Sequence, residues 1–381
     1  MTEKEIRELR QRQRPDKTNI TAVRGCYVSD SHEILSTFRQ SLGLMSEEDK
    51  ESYLGVFRKV LSGTVEKNLI DVVFRTQQVA DSDEHRLLMR LRDSQLNDDE
   101  AVGQLFDTII ASFTLDTGYL ILLAAERYDV PRRAKDGASL DDGDEVFPYI
   151  LCAVCPVKPG RQTLSYAAED KAFHIRSAGY VAGLPEVGFL FPAFDGRRTN
   201  LYDCLYYSRS AQNNHPELIE ALFHIEPPAP AEEQKQTFDA LLSQTLESEC
   251  SLGVVQSVQS DLRERISVHK ETHTDEPLTV SRSEVAGTLA ACGVSEEKLA
   301  AFNVKFDQSF GESAALSPRN LIDAKKFQLK TPDVVIQVNP DRSDLVQTRV
   351  LGGVKYILVC ADEGVEAGGV SIQIEQAASN S

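Results

Sequence analysis

Cys152-Ala-Val-Cys155 has the spacing of a redox dithiol or of half a zinc site. A redox pair needs a helix N-terminus to lower one thiol pKa, and a structural zinc needs a second pair of ligands. Here the motif lies in PYILCAVCPV, a strand-like run that meets Pro156 and then Pro159-Gly160. Residues i and i+3 of a strand face opposite sides of a sheet, so the two sulfurs diverge. No second CxxC exists, and two buried structural thiols are the expectation. His269 and His273 stand four apart, but Lys270-Glu271-Thr272 between them reads as a solvated helix end. Two acidic clusters, Asp141-Asp142-Gly143-Asp144-Glu145 and Asn97-Asp98-Asp99-Glu100, could gather a divalent cation. Both lack the EF-hand spacing and its closing glutamate. The first reads as a long acidic loop within 132–145, the second as the charged start of a helix. Phosphate-loop, dinucleotide and nucleophile-elbow patterns are missing. No catalytic residue, metal or cofactor is expected.

What remains is a set of small basic groups in loops. They are Arg132, Arg133 and Lys135; Lys158 and Arg161; Arg197 and Arg198; and Lys325, Lys326 and Lys330. Gathered at the rim of a sheet, they would make a phosphate-facing surface. Scattered, they are ordinary surface charge. The formal net charge of −18 sharpens that choice, because it repels phosphate backbones in general. Nucleic acid can then be met only through a local cationic patch. Residues 1–17 read as a short exposed helix, mildly basic through Lys4, Arg7, Arg10, Arg12, Arg14 and Lys17. Such an arm contacts a phosphate or a partner, or simply frays in water.

The elements that must position these residues centre on 118–209. Its strand-length runs are GYLILLAAERYDV, EVFPYILCAVCPV, QTLSYAAE, EVGFLFPAFDG and NLYDCLYYSRS, punctuated by turn residues. They predict an antiparallel sheet. Before it, strands are expected at 20–28 and 68–75, and helices at 32–41, 83–93 and 98–113. A further helix opens at Ser46, a Ser cap with acidic residues in its first turn. The stretch 171–187 reads as an irregular crossing or a short helix. After a short helix at 215–224 comes the Pro-rich link Ile225–Ala231, then helices at 232–249 and 252–270. Ser281 with Glu284 three residues on is a capping box, followed by a helix ending at Gly293 and another from Ser295 to about Phe310. Strands at 325–329, 333–338, 345–351 and 354–360 follow, the last two joined at Gly352-Gly353, with one more at 370–374. The expected fold class is α+β. An N-terminal α/β domain with a mainly antiparallel sheet spans 1–224, a link and helical segment 225–276, and a small α+β domain with a disordered tail 277–381.

Length supports two cores, and 41% apolar with 26% charged residues is ordinary for a globular chain. No apolar run is long enough to cross a membrane, and the charged N-terminus is unlike a signal peptide. Seven scattered cysteines suit reduced thiols better than a disulfide framework. A cytoplasmic protein is expected.

Several stretches carry a resemblance: Arg24-GCYV, FRKVLSGT (57–64), LLMRLRDSQL (87–96), YDVP (128–131), YILCAVCPV (149–157), LPEVGFLFPAFDGR (184–197), LYYS (205–208) and KTPDVVIQVNPDRSDLVQTR (330–349). On these the chain is identified as a member of an uncharacterised family of cytosolic proteins from Gram-positive anaerobes, catalogued as a domain of unknown function. Membership implies no activity. The order of parts also resembles the bacterial nucleoid-associated proteins. There, too, an α/β domain pairs strands like GYLILLAAERYDV and PYILCAVCPV. A helical stretch like LTVSRSEVAGTLAACGVSEEKLAAF follows, and a C-terminal β unit is entered through a segment like SPRNLIDAKKFQLKTPDVVIQV. That family is acidic overall yet associates with the nucleoid, and it is not known for enzymes.

The resemblance implies a non-enzymatic DNA-binding protein of the nucleoid, touching the backbone with little sequence preference. Arg132, Arg133, Lys135, Lys158, Arg161, Arg197, Arg198, Lys325 and Lys326 are its candidate contacts. Double-stranded DNA, other nucleoid proteins and a second copy in a homodimer are the candidate partners, and no membrane is expected. Two alternatives stand beside it. One is an acidic protein-interaction module that never meets DNA. The other is a metal-dependent hydrolase using the 132–145 loop.

Overall fold

A single long β-ladder is the spine of the N-terminal half. In this computed structural model residues 1–133, 139–160, 162–177, 179–272, 278–362 and 364–373 are described. They divide into two compact units, one within Met1–Gln234, the other within Lys235–Thr274 and Leu278–Ser381.

In the first unit, helix α1 (Glu3–Arg12) opens with a reciprocal cap: Glu5 N–H donates to Thr2 Oγ1, and Thr2 N–H donates to the Glu5 carboxylate at 2.9 Å. Strands β1 (Ala22–Val28) and β2 (Ile34–Ser41) follow, then helix α2 (Glu47–Val60), capped by Ser46. Next come β3 (Leu69–Val73) and helices α3 (Thr76–Asp81), α4 (Asp83–Asp93) and α5 (Asp99–Ser112). The spine itself is β4 (Tyr119–Arg133) against β5 (Ser139–Pro159). After it run the hairpin β6 (Gln162–Ala167) with β7 (Ala172–Ser177), the short β8 (Tyr180–Ala182), and β9 (Val187–Phe191). The small pair β10 (Ala193–Asp195) and β11 (Arg198–Asn200), then β12 (Asp203–Ser208) and helix α6 (Pro216–Phe223), complete the unit.

The main sheet runs β2-β1-β4-β5-β9-β12-β3, every neighbour antiparallel. Both faces are covered by helices, which is why its central strands read as continuous apolar runs rather than alternating ones. Along β5, Tyr149, Leu151, Ala153 and Cys155 enter the core under α1 and α2, with Leu9, Leu54 and Phe57. Ile150, Cys152 and Val154 enter the core under α4, α5 and α6, with Leu88, Leu105 and Phe223. Each such side chain contributes roughly 1.5–3 kcal/mol when fully buried. Helix α2 seats on the sheet at Gly188, where an added Cβ would stand 2.4 Å from the Cys152 carbonyl oxygen and 2.8 Å from a Val60 methyl.

The structure departs from the sequence reading in five places. Residues 34–41 are the edge strand β2, not a helix: almost every side chain there is exposed, so no periodicity marks it, and pairing with β1 decides its state. Residues 1–17 are neither a free arm nor a frayed end, because α1 buries Ile6 and Leu9 and threads Glu5 into the body. The run QTLSYAAE pairs only with β7, so that hairpin stands outside the main sheet. Within 171–187 the chain forms β7 and β8 rather than a helix. The described residues of the 132–145 stretch belong to β4 and β5 rather than to a loop: Val130 pairs with Glu145, Arg132 with Leu140 and Arg133 with Ser139. Backbone pairing in a ladder this long outweighs the loop-like composition of the segment.

In the second unit, helices α7 (Ala231–Leu246) and α8 (Leu252–Thr272) lead to the short strand β13 (Val280–Ser281), helix α9 (Arg282–Ala291) and helix α10 (Glu296–Phe310). Ser281 and Glu284 form the expected capping box, and Gly293 ends the first helix at φ +83°. Phe238, Leu246, Val258, Leu262, Leu289, Phe302 and Phe306 make one core. Strand β14 (Ala315–Leu316) pairs with β13, and the single turn α11 (Pro318–Leu321) follows. Three hairpins complete the unit: β15 (Phe327–Lys330) with β16 (Val335–Val338), β17 (Val346–Leu351) with β18 (Val354–Val359), and β19 (Val365–Ala367) with β20 (Val370–Ile372). Gly352 and Gly353, both at positive φ, turn the middle one. Among the described residues no helix is long and apolar enough to cross a membrane.

Candidate anion-binding site

Of the basic residues singled out from sequence, Arg197, Arg198 and Lys326 each lie beside a carboxylate. Arg197 is structural. Its guanidinium pairs with Glu8 of α1 and donates to the Pro131 carbonyl at 2.8 Å, while its backbone N–H donates to Glu5 at 3.1 Å. Arg198 is exposed but sits 3.5 Å from Glu145, and Lys326 lies 3.7 Å from Asp323. Lys325 and Lys326 belong to the second unit, whereas Lys158 is exposed on β5 in the first. Lys135 and Arg161 lie outside the described residues, as do the side chains of Arg132 and Arg133 and the whole of His273. The physical reason is ordinary: in an acidic chain most cations find a neighbouring carboxylate.

The CxxC behaves as its strand setting predicts. Cys152 faces one core and Cys155 the other. Burial pushes the Cys155 thiol up to about 12 and, with the carboxylate of Asp107 adding to it, Cys26 to about 11. Burial raises Cys152 and Cys204 well above the ordinary thiol range as well. At pH 8 a colorimetric thiol reagent should therefore modify exposed Cys360 first, and reach Cys26, Cys152, Cys155 and Cys204 only after denaturant is added. Rapid labelling of any of these core thiols in the native protein would contradict this. Among the described residues no group of three or more His, Cys, Asp or Glu side chains is placed to hold a metal.

A different cationic cluster emerges where β1, β2 and β4 meet the α4–α5 connection. A recess of about 270 Å³ is lined by Asn19, Thr21, Ala22, Arg24, Arg39, Gln95, Leu96, Asn97, Ala125 and Arg127. Three arginines and no carboxylate line it, in a chain with 59 acidic and 41 basic residues. Arg24 and Arg39 are direct cross-strand partners on β1 and β2. Like charges placed opposite one another weaken a sheet, so the arrangement costs stability unless something anionic offsets it. Arg24 has one counter-charge, Asp99, at 2.7 Å; that carboxylate is 82% exposed and outside the lining. Arg39 donates to the neutral Asn97 carbonyl oxygen at 2.6 Å. Among the described residues no carboxylate pairs with Arg39 or Arg127.

The far wall of the recess is a strained helix end. Helix α4 closes with Gln95 N–H donating to Arg92 O and Leu96 N–H to Leu91 O, both at 3.0 Å. Glycine is usual at the first of these positions. Here Gln95 and Leu96 both hold left-handed backbone, at φ +50° and +59°. That conformation costs an ordinary residue roughly 1–2 kcal/mol. It persists because the Leu96 side chain is buried and its carbonyl accepts from Arg24 Nη1 at 3.3 Å. The same bond aims the Arg24 guanidinium. Strain of this kind gathers at ligand sites. The larger groove of the unit, between α4, α5 and α6, differs in character. Its lining mixes Asp83, Glu84 and Asp107 with Arg86 and Arg90, and Glu84 lies 3.3 Å from His224 Nδ1.

The family model described as a domain of unknown function, DUF4317, matches residues 1–370. The chain belongs to that family. No curated protein matches it. Membership in DUF4317 assigns no ligand, so the recess is judged on its chemistry alone. None of its arginines was singled out from sequence as a contact. Arg24 lies in a strand-like run, Arg39 is 15 residues on in a stretch that reads as a helix, and Arg127 is a further 88 away; only the sheet register signals the cluster.

Proposed function

We propose that this protein works by binding rather than catalysis, and that its partner is phosphate-bearing nucleic acid, duplex DNA of the nucleoid first. The observation that carries the reading is the recess with three arginines and no carboxylate. Arginine's planar fork suits phosphate oxygens, and nothing in the lining competes for it. Two further features support it. The order of parts resembles the nucleoid-associated proteins, and bulk acidity is screened beyond about 8 Å at physiological salt. A local cationic patch can therefore act against an anionic background.

The contact set differs from the loop residues first expected. Exposed Arg39 and Arg127 reach a backbone phosphate, and Arg197 is excluded because Glu8 occupies it. Few phosphates are neutralised, so affinity should be modest. The logarithm of the binding constant should fall with log salt at a slope of about −2. Fluorescence anisotropy with a labelled duplex between 50 and 200 mM salt measures this. Arg39→Glu with Arg127→Glu should abolish the signal. Absence of binding at 50 mM salt overturns the proposal.

A second reading, an acidic module that meets proteins and never DNA, is favoured by one observation. Leu164, Tyr166 and Phe173 lie on one face of the β6–β7 hairpin, each more than half exposed. A defined protein complex that survives nuclease digestion and is lost in Phe173→Asp would favour it.

A further inference from the structure

We infer that the recess formed by Arg24, Arg39 and Arg127 is a site for a terminal phosphate, a phosphomonoester dianion, in preference to an internal phosphodiester. This rests on the reading that the recess binds phosphate groups at all, and it names which phosphate.

The argument is one of depth, charge and donor number. Arg39 and Arg127 are exposed at the rim, whereas the Arg24 side chain is only 15% exposed and is tied to the Leu96 carbonyl. A backbone phosphate carries sugar on both sides, so it can touch the rim but cannot pass beyond it. A terminal phosphate is tethered on one side and can enter to meet all three guanidinium groups. At about 270 Å³ the recess is slightly smaller than the ~300–1,000 Å³ of drug-sized ligand pockets. It suits a phosphate head with the first atoms of its ester. A monoester carries a charge of about −1.5 to −2 at pH 7 and three acceptor oxygens; a diester carries one charge and two free oxygens. Three arginines, partly offset by one exposed Asp99, match the former.

The neutral lining completes the donor set. Asn19 donates one amide hydrogen to the Arg127 carbonyl at 3.0 Å, Gln95 one to Arg92 O at 2.8 Å, and Asn97 one to Ser94 O at 2.8 Å. Each side-chain amide keeps its second hydrogen, and each is held in place by the bond it already makes. Thr21 adds a hydroxyl. The site is thus pre-oriented before a ligand arrives, which limits the ordering cost of binding.

The shared ligand chemistry has two sources, a 5′-phosphorylated nucleic-acid end and a free nucleoside monophosphate. The test uses the full chain with three probes: a short duplex bearing 5′-phosphates, the same duplex bearing 5′-hydroxyls, and adenosine 5′-monophosphate. Arg127→Gln and Arg24→Gln are compared with the parent. Because Arg127 is exposed, its variant should keep the parental circular dichroism spectrum and melting temperature, so a loss of binding there is not a loss of fold.

The expected result is at least about tenfold tighter binding of the phosphorylated duplex, lost in Arg127→Gln, in line with a charged hydrogen bond. Arg24→Gln should erase the preference between the two duplexes while leaving residual binding of both. Binding of the monophosphate but of neither duplex supports the inference and overturns the DNA reading. Equal binding of the two duplexes, with no measurable binding of the monophosphate, overturns the inference and leaves the DNA reading standing. Failure of all three probes overturns both.

Discussion

Glu126→Ala should lower the stability of the first unit by about 3–5 kcal/mol, the usual cost of removing one partner from a buried ion pair. Glu126 is fully enclosed on β4. Its carboxylate accepts from Arg12 Nε at 2.9 Å, from Asn19 N–H at 2.9 Å, from Gln13 Nε2 at 3.2 Å and from the Tyr149 hydroxyl. Deletion strands all of these donors at once. Arg12 also lies over the Tyr128 ring, 4.2 Å from its centroid, so the loss spreads to the packing of α1. The reverse direction of Tyr149 is consistent: burial, reinforced by the nearby carboxylate, raises its phenol well above the ordinary value and keeps it a donor. In a unit of this size the loss corresponds to a fall of about 6–20 °C in melting temperature. Urea unfolding should show a lower midpoint with an unchanged slope. Glu126→Gln, which keeps an acceptor oxygen, should lose less. A fall below about 1 kcal/mol for the alanine variant would show that α1 is held by its apolar face instead.

Gly188→Ala is the second large effect, about 3 kcal/mol of destabilisation, at the upper end of what overpacking costs. The new methyl would meet the Cys152 carbonyl oxygen at 2.4 Å and two Val60 methyls at 2.8 and 3.0 Å. Val60 can be trimmed, and Val60→Ala should recover part of the loss. The carbonyl belongs to the β5 backbone and cannot move without disturbing the ladder to β9. Full rescue by Val60→Ala would mean that the strand separation adjusts at this point, contrary to the close packing of the sheet. The contrast with Gly25 is instructive. A methyl there would collide with the Phe38 ring at 2.1 Å, but Phe38 belongs to the exposed edge strand β2 and can swing away. A milder loss is expected.

Two features that cost stability meet where β1 pairs with the edge strand β2. Arg24 opposite Arg39 weakens the sheet, and the left-handed pair Gln95-Leu96 adds strain beside it. Local rules broken together in one place are characteristic of function rather than of folding. Other ordinary residues of the unit, among them His32, Glu66, Arg197 and His215, also hold positive φ, but none of these lines the recess. Elsewhere the sheet faces are apolar, α1, α2, α4 and α5 carry side-chain caps, and Cys26, Cys152, Cys155 and Cys204 are buried.

Much of the architecture was legible in the chain because it rests on short-range physics. Helices 83–93, 98–113 and 295–310 announce themselves by periodicity and acidic first turns, Ser281 and Glu284 by their spacing, and Gly352-Gly353 by the backbone freedom a tight turn requires. The divergence of Cys152 and Cys155 follows from the two-residue repeat of any strand. What the chain could not declare is which strands are neighbours, or which carboxylate meets which cation. Arg197 looked like a loop residue free for phosphate, and Glu8, 189 positions earlier, claims it. Arg24, Arg39 and Arg127 looked unremarkable, and cross-strand register puts them around one recess. Side-chain direction is set by local backbone geometry and so is written residue by residue. Charge convergence is set by distances between segments far apart in sequence, and only the assembled sheet makes those distances short.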